Sequence, residues 1–351
     1  MGLTKSINHS IDRRRVLKAG VSAGAAIAVS NLALFSTIAK SQTVVNPTMA
    51  TDDLPEKMVK ALHSAFGEHH ARAVHAKGIV LEGTFTPSAE ARDISTATLF
   101  TETSIPVSVR FSDFTGIPDI PDTVDGANPR GFAVKFRAPG DASMDIVSHS
   151  FNGFPTKTSE EFGDLLRAIG ASGEGAAKPT ALDEFLGTHP IAATFLTTQK
   201  PAPVSYATVP YFGVNSFAFI NAAKGKNHVR YRFVPKAGEH FLTPEEIASK
   251  GPNYLSDEIT KRVGAAPIIF EWFAQIAEAS DAIDDPSIAW PESRKLVKLG
   301  IITIEKMTAD QVAATNELLF LPGHLPLGIE IADPMLAIRT AAYPISFAER
   351  Q

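Results

Sequence analysis

Eight short segments of this chain carry β-branched and aromatic residues at alternate positions, which is the pattern of half-buried β-strands. The segments cover residues 78–85, 106–112, 131–136, 145–147, 212–219, 229–234, 266–273 and 297–304. They do not alternate regularly with helical segments, so a doubly wound parallel sheet is not expected. The sequence therefore predicts an α+β fold: a closed antiparallel β-barrel of about eight strands with inserted helices.

Helical patterns occupy the spaces between and around these segments. Residues 52–56 are typical of a capped helix start, and that helix is predicted to run toward Arg72 with His63, His69 and His70 on it. Thr158, followed three residues later by Glu161, is a capping-box pattern ahead of a second helix. The last helix is predicted from Asp333 to about Thr340, with Pro344 marking its end.

The first 41 residues differ from the rest of the chain. Residues 13–18 are strongly basic, and the stretch from Ala19 to Ala39 is uncharged and mostly small or apolar, as in an export leader. The Arg13-Arg14 pair resembles the twin-arginine signal, whose pathway carries proteins already folded around a cofactor. We expect residues 1–41 to be a twin-arginine-type signal and residues 42–351 a periplasmic barrel domain. An ordinary secretory signal or an uncleaved anchor is the alternative.

Composition excludes several function classes. Residues 42–351 hold 27 basic and 37 acidic residues without a basic stretch, which argues against a nucleic-acid partner. No later run is long and apolar enough to suggest a membrane span in the mature chain. The chain has no cysteine, so disulfides, thiolate nucleophiles and thiolate-bound metals are excluded. Any metal must have nitrogen or oxygen ligands.

Three groups of residues could carry chemistry. Arg339 and Tyr343 are four residues apart, so both project from one helix face, and a fixed cation helps a phenol bind ferric iron as phenolate. His75, which follows the first predicted helix, has an imidazole suited to proton transfer in both directions. Two strand segments, 109–112 and 129–136, each contain an arginine. Taken singly, each group is more often structural than functional.

Their order along the chain resembles the heme catalase family. The matching segments are Arg72-x-x-His75-Ala76-Lys77-Gly78, Val109-Arg110-Phe111-Ser112, residues 129–136 (PRGFAVKF) and residues 335–344 (MLAIRTAAYP). The resemblance covers roughly residues 50–351. Because the chain ends eight residues after Tyr343, it is similar to the minimal, periplasmic catalase-related peroxidase branch, without the C-terminal domains of full-length catalases.

The resemblance implies a role for each matching residue. Tyr343 would be the proximal ligand of a heme b iron, and Arg339 would hold it as phenolate. His75 would be the distal base, and Ser112 would orient its imidazole through a hydrogen bond. The resemblance also implies cofactor contacts: Arg72, Arg110 and Arg350 would pair with the heme propionates, and Phe162 would stack over the porphyrin on its distal side.

One position departs from the family pattern. After Asp145-Ile146-Val147 the family has a catalytic Asn, whereas here His149 stands at the aligned position and Asn152 follows three residues later. That Asn helps to bind and polarise hydrogen peroxide in catalases. Either His149 or Asn152 could take over its role, and efficient disproportionation of hydrogen peroxide is not expected.

The resemblance therefore implies a heme peroxidase that reduces hydrogen peroxide and organic hydroperoxides through a high-valent iron intermediate, with weak or no catalase activity. Its partners would be the peroxide and a small-molecule electron donor. A monomer or dimer is expected. The alternatives are a fatty-acid hydroperoxide isomerase or lyase, and a non-catalytic heme-binding protein.

Overall fold

Nine antiparallel strands form one sheet in a computed structural model that describes residues 53–138, 140 and 143–351. The predicted leader lies outside the described residues. The strands are β1 (Gly78–Pro87), β2 (Ile105–Ser112), β3 (Gly131–Phe136), β4 (Met144–His149), β5 (Tyr211–Ile220), β6 (Lys226–Pro235), β7 (Ile268–Ile276), β8 (Leu296–Met307) and β9 (Ile329–Ile331). Their order is β4-β3-β2-β1-β8-β7-β6-β5-β9, and β4 also pairs with β5 through His149 and Phe212. That contact closes β1–β8 into a barrel, as the sequence predicts, with strand ends within three residues of the predicted ones.

Large aromatic side chains fill the barrel interior. Phe111, Phe132, Tyr211 and Phe270 are almost fully buried there, and the Phe132 and Tyr211 rings stack with centroids 4.9 Å apart. Because side chains alternate between the two faces of a strand, the neighbours of these rings point out of the barrel. An eight-stranded barrel is just wide enough for its side chains to fill it. The space for a ligand therefore lies outside the barrel wall.

The helices lie between and around the strands, and no described helix is long and apolar enough to cross a membrane. They are α1 (Leu54–Phe66), α2 (Ala91–Ile94), α3 (Ser159–Gly170), α4 (Ala181–Thr188), α5 (Pro190–Thr197), α6 (Pro244–Ala248), α7 (Tyr254–Ala265), α8 (Gln311–Glu317) and α9 (Met335–Ala348).

The first helix is shorter than predicted. It ends at Phe66 rather than near Arg72, because Gly67 adopts φ +84°, which a helix cannot continue. Of the three histidines placed on this helix, His69 and His70 therefore lie in the segment that follows it. His75 lies in that same segment, between α1 and β1, and also has a positive φ of 56°.

The last helix is longer than predicted. It starts at Met335, where the Asp333 carboxylate accepts the Met335 backbone N–H, and continues through Pro344 to Ala348. Proline removes one backbone hydrogen bond from a helix interior, so a helix that continues beyond it needs other contacts. Ser346 supplies one by accepting the Ala73 backbone N–H at 3.0 Å. Tertiary contacts thus override the stop signal.

Candidate active site

A cavity with about 750 Å³ of empty space lies against the outer face of β2, β3 and β4. Helices α1 and α9 and residues 318–320 enclose it from the other side. Arg110, Ser112 and Ala133 line it from the strands, and His75 and Tyr343 reach it from the segment after α1 and from α9. The outward alternation of three strands therefore brings together residues that are far apart in the sequence.

Tyr343 is held by a chain of polar side chains that leads to the buried Asn215 and Asp333. Its phenolic oxygen accepts a hydrogen bond of 2.7 Å from the Arg339 guanidinium, one helical turn earlier on α9. Arg339 also donates to the side-chain oxygen of Asn215 on β5, and the Asn215 amide donates to Asp333 at 2.7 Å. A cationic donor on one side of a phenolic oxygen stabilises its anionic form and leaves lone pairs for a metal. Tyr343 is therefore suited to bind a metal ion through its phenolic oxygen.

His75 presents a free nitrogen to the same cavity. Its Nδ1 donates to the backbone carbonyl of Asp113 at 2.9 Å, with Ser112 Oγ 3.1 Å away. The proton is thereby assigned to Nδ1, which leaves the Nε2 lone pair free. Burial lowers the pKa of His75 to about 3, and the charge of Arg110 adds to the effect. His75 is therefore a neutral imidazole able to accept a proton.

The space around the His75–Ser112 pair is tight. A Cβ atom at Gly131 on β3 would lie 2.3 Å from Ser112 Oγ and 2.7 Å from His75 Nδ1. Beneath the pair, the buried Asp113 carboxylate is bound by Arg130 and by the Tyr206 hydroxyl at 3.0 Å. The backbone carbonyl that orients His75 is thus fixed by a buried ion pair.

His149 has the opposite arrangement of donor and acceptor. Its Nδ1 accepts the Phe151 backbone N–H at 3.3 Å, so the proton of the neutral ring is on Nε2. That Nε2 is buried and has no hydrogen-bond partner among the described residues. Burial, and then the charge of Arg339, lower the pKa of His149 to about 3. His149 is therefore a neutral, unsatisfied N–H donor.

Three arginines converge at the other end of the cavity. Arg72 and Arg350 both donate to the Leu318 carbonyl, at 2.6 and 2.9 Å, and Arg110 donates to the Ala76 carbonyl at 2.9 Å. Burial, and then the charges of Arg110 and Arg350, lower the pKa of Arg72 to about 7. Within the described part of the chain, all three donate to backbone carbonyls rather than to carboxylates, and Nε of Arg110 and of Arg350 has no partner. Such a cluster is suited to an anionic group.

Two predicted site residues lie elsewhere. Phe162 packs with its ring centroid 4.8 Å from that of Phe154, in an apolar cluster with Leu54 and Ile338, and does not line the cavity. Asn152 lines a second cavity. The other eight predicted residues line the first cavity or, like Arg339 and His149, contact or adjoin residues that do.

Sequence reasoning assigned no role to the residues that support the site. Arg130 lies inside the segment 129–136, and its partner Asp113 follows β2. Asp333 lies just before the segment 335–344, and its partner Asn215 is on β5. Asn215, in the middle of β5, carries no sequence signal for its role. Among the described residues no group of three or more His, Asp or Glu could hold a metal ion.

Comparisons with known proteins agree with this geometry. A family model described as Catalase matches residues 46–350. The catalase-related peroxidase of Synechococcus elongatus is 32% identical over 325 residues, covering 91% of this chain and 95% of its own length. That of Mycolicibacterium paratuberculosis is 34% identical over 297 residues, 83% of this chain and 93% of its own length. Catalase A from Saccharomyces cerevisiae has a TM-score of 0.71 at 20% identity, over 80% of this chain and 61% of its own, a likeness of fold.

The lowered pKa of His149 predicts a pH-dependent stability. The folded state holds the ring neutral down to pH about 3, whereas the unfolded chain takes up a proton below its usual pKa of about 6.5. The neutral His149 therefore contributes its full stabilisation above pH 6.5. As the pH falls below that value, the free energy of unfolding decreases by up to about 1.4 kcal/mol per pH unit. We expect His149→Gln to remove this contribution. The difference in free energy of unfolding between wild type and this variant should therefore become smaller by about 1 to 2 kcal/mol when the pH is lowered from 7 to 5.

Urea unfolding at pH 7, 6 and 5 measures this difference. The control is Val312→Gln, at a residue that is 72% exposed and carries no titratable group, so its difference from wild type should not change with pH. A constant difference for His149→Gln as well would contradict the prediction.

Proposed function

The chain belongs to the catalase family, and on that premise we propose that it is a heme peroxidase that reduces hydrogen peroxide and organic hydroperoxides. The observation that carries the proposal is a single cavity with three features: the Arg339-backed Tyr343 hydroxyl, the free Nε2 of His75, and three arginines that have no acidic partner among the described residues. These are an oxygen ligand, a base and an anion-binding cluster. A non-catalytic binding protein would have no need of an oriented, neutral base.

The residues of the cavity fit a heme. Tyr343 would be the iron ligand, and Arg72, Arg110 and Arg350 would bind the propionates, which would supply the missing partners of the buried Nε atoms of Arg110 and Arg350. The absence of cysteine excludes attachment through thioether bonds, which favours non-covalent heme b. When bound, the heme supplies the two-electron chemistry that breaks the O–O bond.

The two neutral histidines would share the handling of the hydroperoxide. His75 Nε2 accepts the proton of the hydroperoxide and returns it to the outer oxygen, which leaves as water or as an alcohol. His149 Nε2–H donates a hydrogen bond to the bound hydroperoxide in place of the family's Asn, and we expect weak catalase activity as a result. The overall reaction consumes two protons and two electrons, the electrons coming from a small organic reductant.

Replacing Tyr343 tests the cofactor assignment. We expect Tyr343→Phe to lose heme, because the phenolic oxygen is the oxygen on α9 whose anionic form a neighbouring cation, Arg339, stabilises. The measurement is the ratio of Soret to protein absorbance after purification with added heme. Tyr231→Phe is the control, since Tyr231 is buried in the barrel core and its hydroxyl has no hydrogen-bond partner among the residues that the structure describes. A Tyr343→Phe protein with full heme content would refute the assignment.

Replacing His75 tests the catalytic role. We expect His75→Ala to keep its heme but to react with hydrogen peroxide about 10² to 10⁴ times more slowly, the usual contribution of a positioned general base. Stopped-flow absorbance of the Soret band, with no reductant present, measures this step. His228→Ala, at a half-buried histidine of β6 that lines neither cavity, is the control. An unchanged rate in His75→Ala would favour the non-catalytic alternative.

We also propose that the mature protein is periplasmic. The support is the twin-arginine-type pattern of residues 13–39. We expect Arg13→Lys with Arg14→Lys to retain the protein in the cytoplasm, as judged by immunoblotting of periplasmic and cytoplasmic fractions. Arg15→Lys is the control. Export of the double variant at the wild-type level would contradict the proposal.

A further inference from the structure

A second cavity lies beside the first and opens to solvent. Its walls are α5, residues 287–289 and residues 151–154. No charged side chain lines it among the described residues, and Ile191 and Ile288 at its walls are 40% and 43% exposed. Exposed apolar side chains around a concave site are typical of ligand binding.

The wall at residues 287–289 is anchored from the barrel. Arg230 on β6 is 3% exposed and donates to the carbonyls of Ile288 at 2.6 Å and Asp285 at 2.8 Å. Its guanidinium lies 4.5 Å from the centre of the Trp290 ring. These hydrogen bonds from a buried guanidinium hold residues 285–288 in place. This wall of the cavity therefore does not need a ligand in order to form.

The inner wall of this cavity separates it from the candidate active site. The rings of Phe154 and Phe195 line it, and their centroids lie 6.4 and 6.2 Å from that of His149. On its other side, His149 pairs across the sheet with Gly131, which lines the first cavity. His149, with its unpartnered Nε2–H, therefore stands between the two cavities.

We propose that the second cavity binds the organic group of a neutral, apolar hydroperoxide whose O–O group passes the rings of Phe154 and Phe195 to reach His149. This inference rests on the proposed function and assigns the site that holds the organic group of its substrate. An uncharged, largely apolar lining favours an uncharged alkyl or aryl group and penalises an ionised one, which would be desolvated without a partner. The unsatisfied N–H at the inner wall supplies the polar contact that a hydroperoxide oxygen needs. Hydrogen peroxide has no organic group and does not use this cavity.

The test narrows the cavity from two facing walls. Thr194 on α5 and Ala289 on the opposite wall are both exposed, so Thr194→Trp and Ala289→Trp add bulk over the opening without overpacking the interior. Stopped-flow absorbance of the heme-loaded enzyme gives the rate constants for cumene hydroperoxide and for hydrogen peroxide. We expect the cumene hydroperoxide rate constant to fall by at least about tenfold and the hydrogen peroxide rate constant to stay within about twofold.

Leu327→Trp is the matched control, because Leu327 is 76% exposed and lines neither cavity. It should leave both rate constants unchanged. Equal losses for the two peroxides, or no loss for either, would overturn the proposal. So would a slowing confined to the later step in which an aromatic reductant reacts, since that result would make the cavity a reductant site.

A binding measurement separates this proposal from the proposed function. Calorimetry with 2-phenyl-2-propanol, the unreactive alcohol that corresponds to cumene hydroperoxide, needs no turnover. We expect the wild type to bind it and both tryptophan variants to bind at least about tenfold more weakly. Equal binding by all proteins would overturn the cavity assignment. If wild type ignores hydrogen peroxide, the proposed function fails, and the calorimetric result still decides the cavity.

Discussion

The filled interior of the barrel is the constraint on which the rest of this structure depends. Rings such as Phe111 and Phe132 occupy the lumen, so the side chains of their strand neighbours Arg110, Ser112 and Ala133 must point outward. A ligand cavity can then form only between the barrel wall and the helices laid over it. The same alternation that makes the core therefore selects which residues can carry chemistry, and α1 and α9 complete the enclosure.

Burial gives the two histidines of this region complementary roles. Both are held neutral, with pKa values lowered to about 3, yet their hydrogen bonds differ. Nδ1 of His75 donates to a backbone carbonyl, whereas Nδ1 of His149 accepts a backbone N–H. One ring thus keeps a free lone pair and the other a free N–H, a base and a donor made from the same residue type. Because both imidazole rings are neutral, they add no positive charge to a region that already contains three arginines.

Much of the fold could be predicted from the sequence, because strand alternation and helix caps are local signals. All eight barrel strands and the helix that begins after Thr158 were predictable in this way. The helix ends were not. Gly67 stops α1 through its own positive φ, whereas Pro344 fails to stop α9 because Ser346 and Arg350 beyond it bond to Ala73 and Leu318. Those partners are remote in the chain, so no local pattern contains them.

The sequence by itself determined the residue types of the site: a tyrosine with an arginine one turn before it, a histidine followed by Ala-Lys-Gly, and arginines on two strand segments. Spacing within a helix or strand is local, so Arg339 and Tyr343 had to share a face. Only the tertiary structure decided what surrounds them. It paired Asn215 with Arg339. It set opposite tautomers for His75 and His149. It placed Asn152 and Phe162 outside the lining of the first cavity. The reason is physical: tautomer, burial and polar partners depend on groups that come together only when distant segments pack.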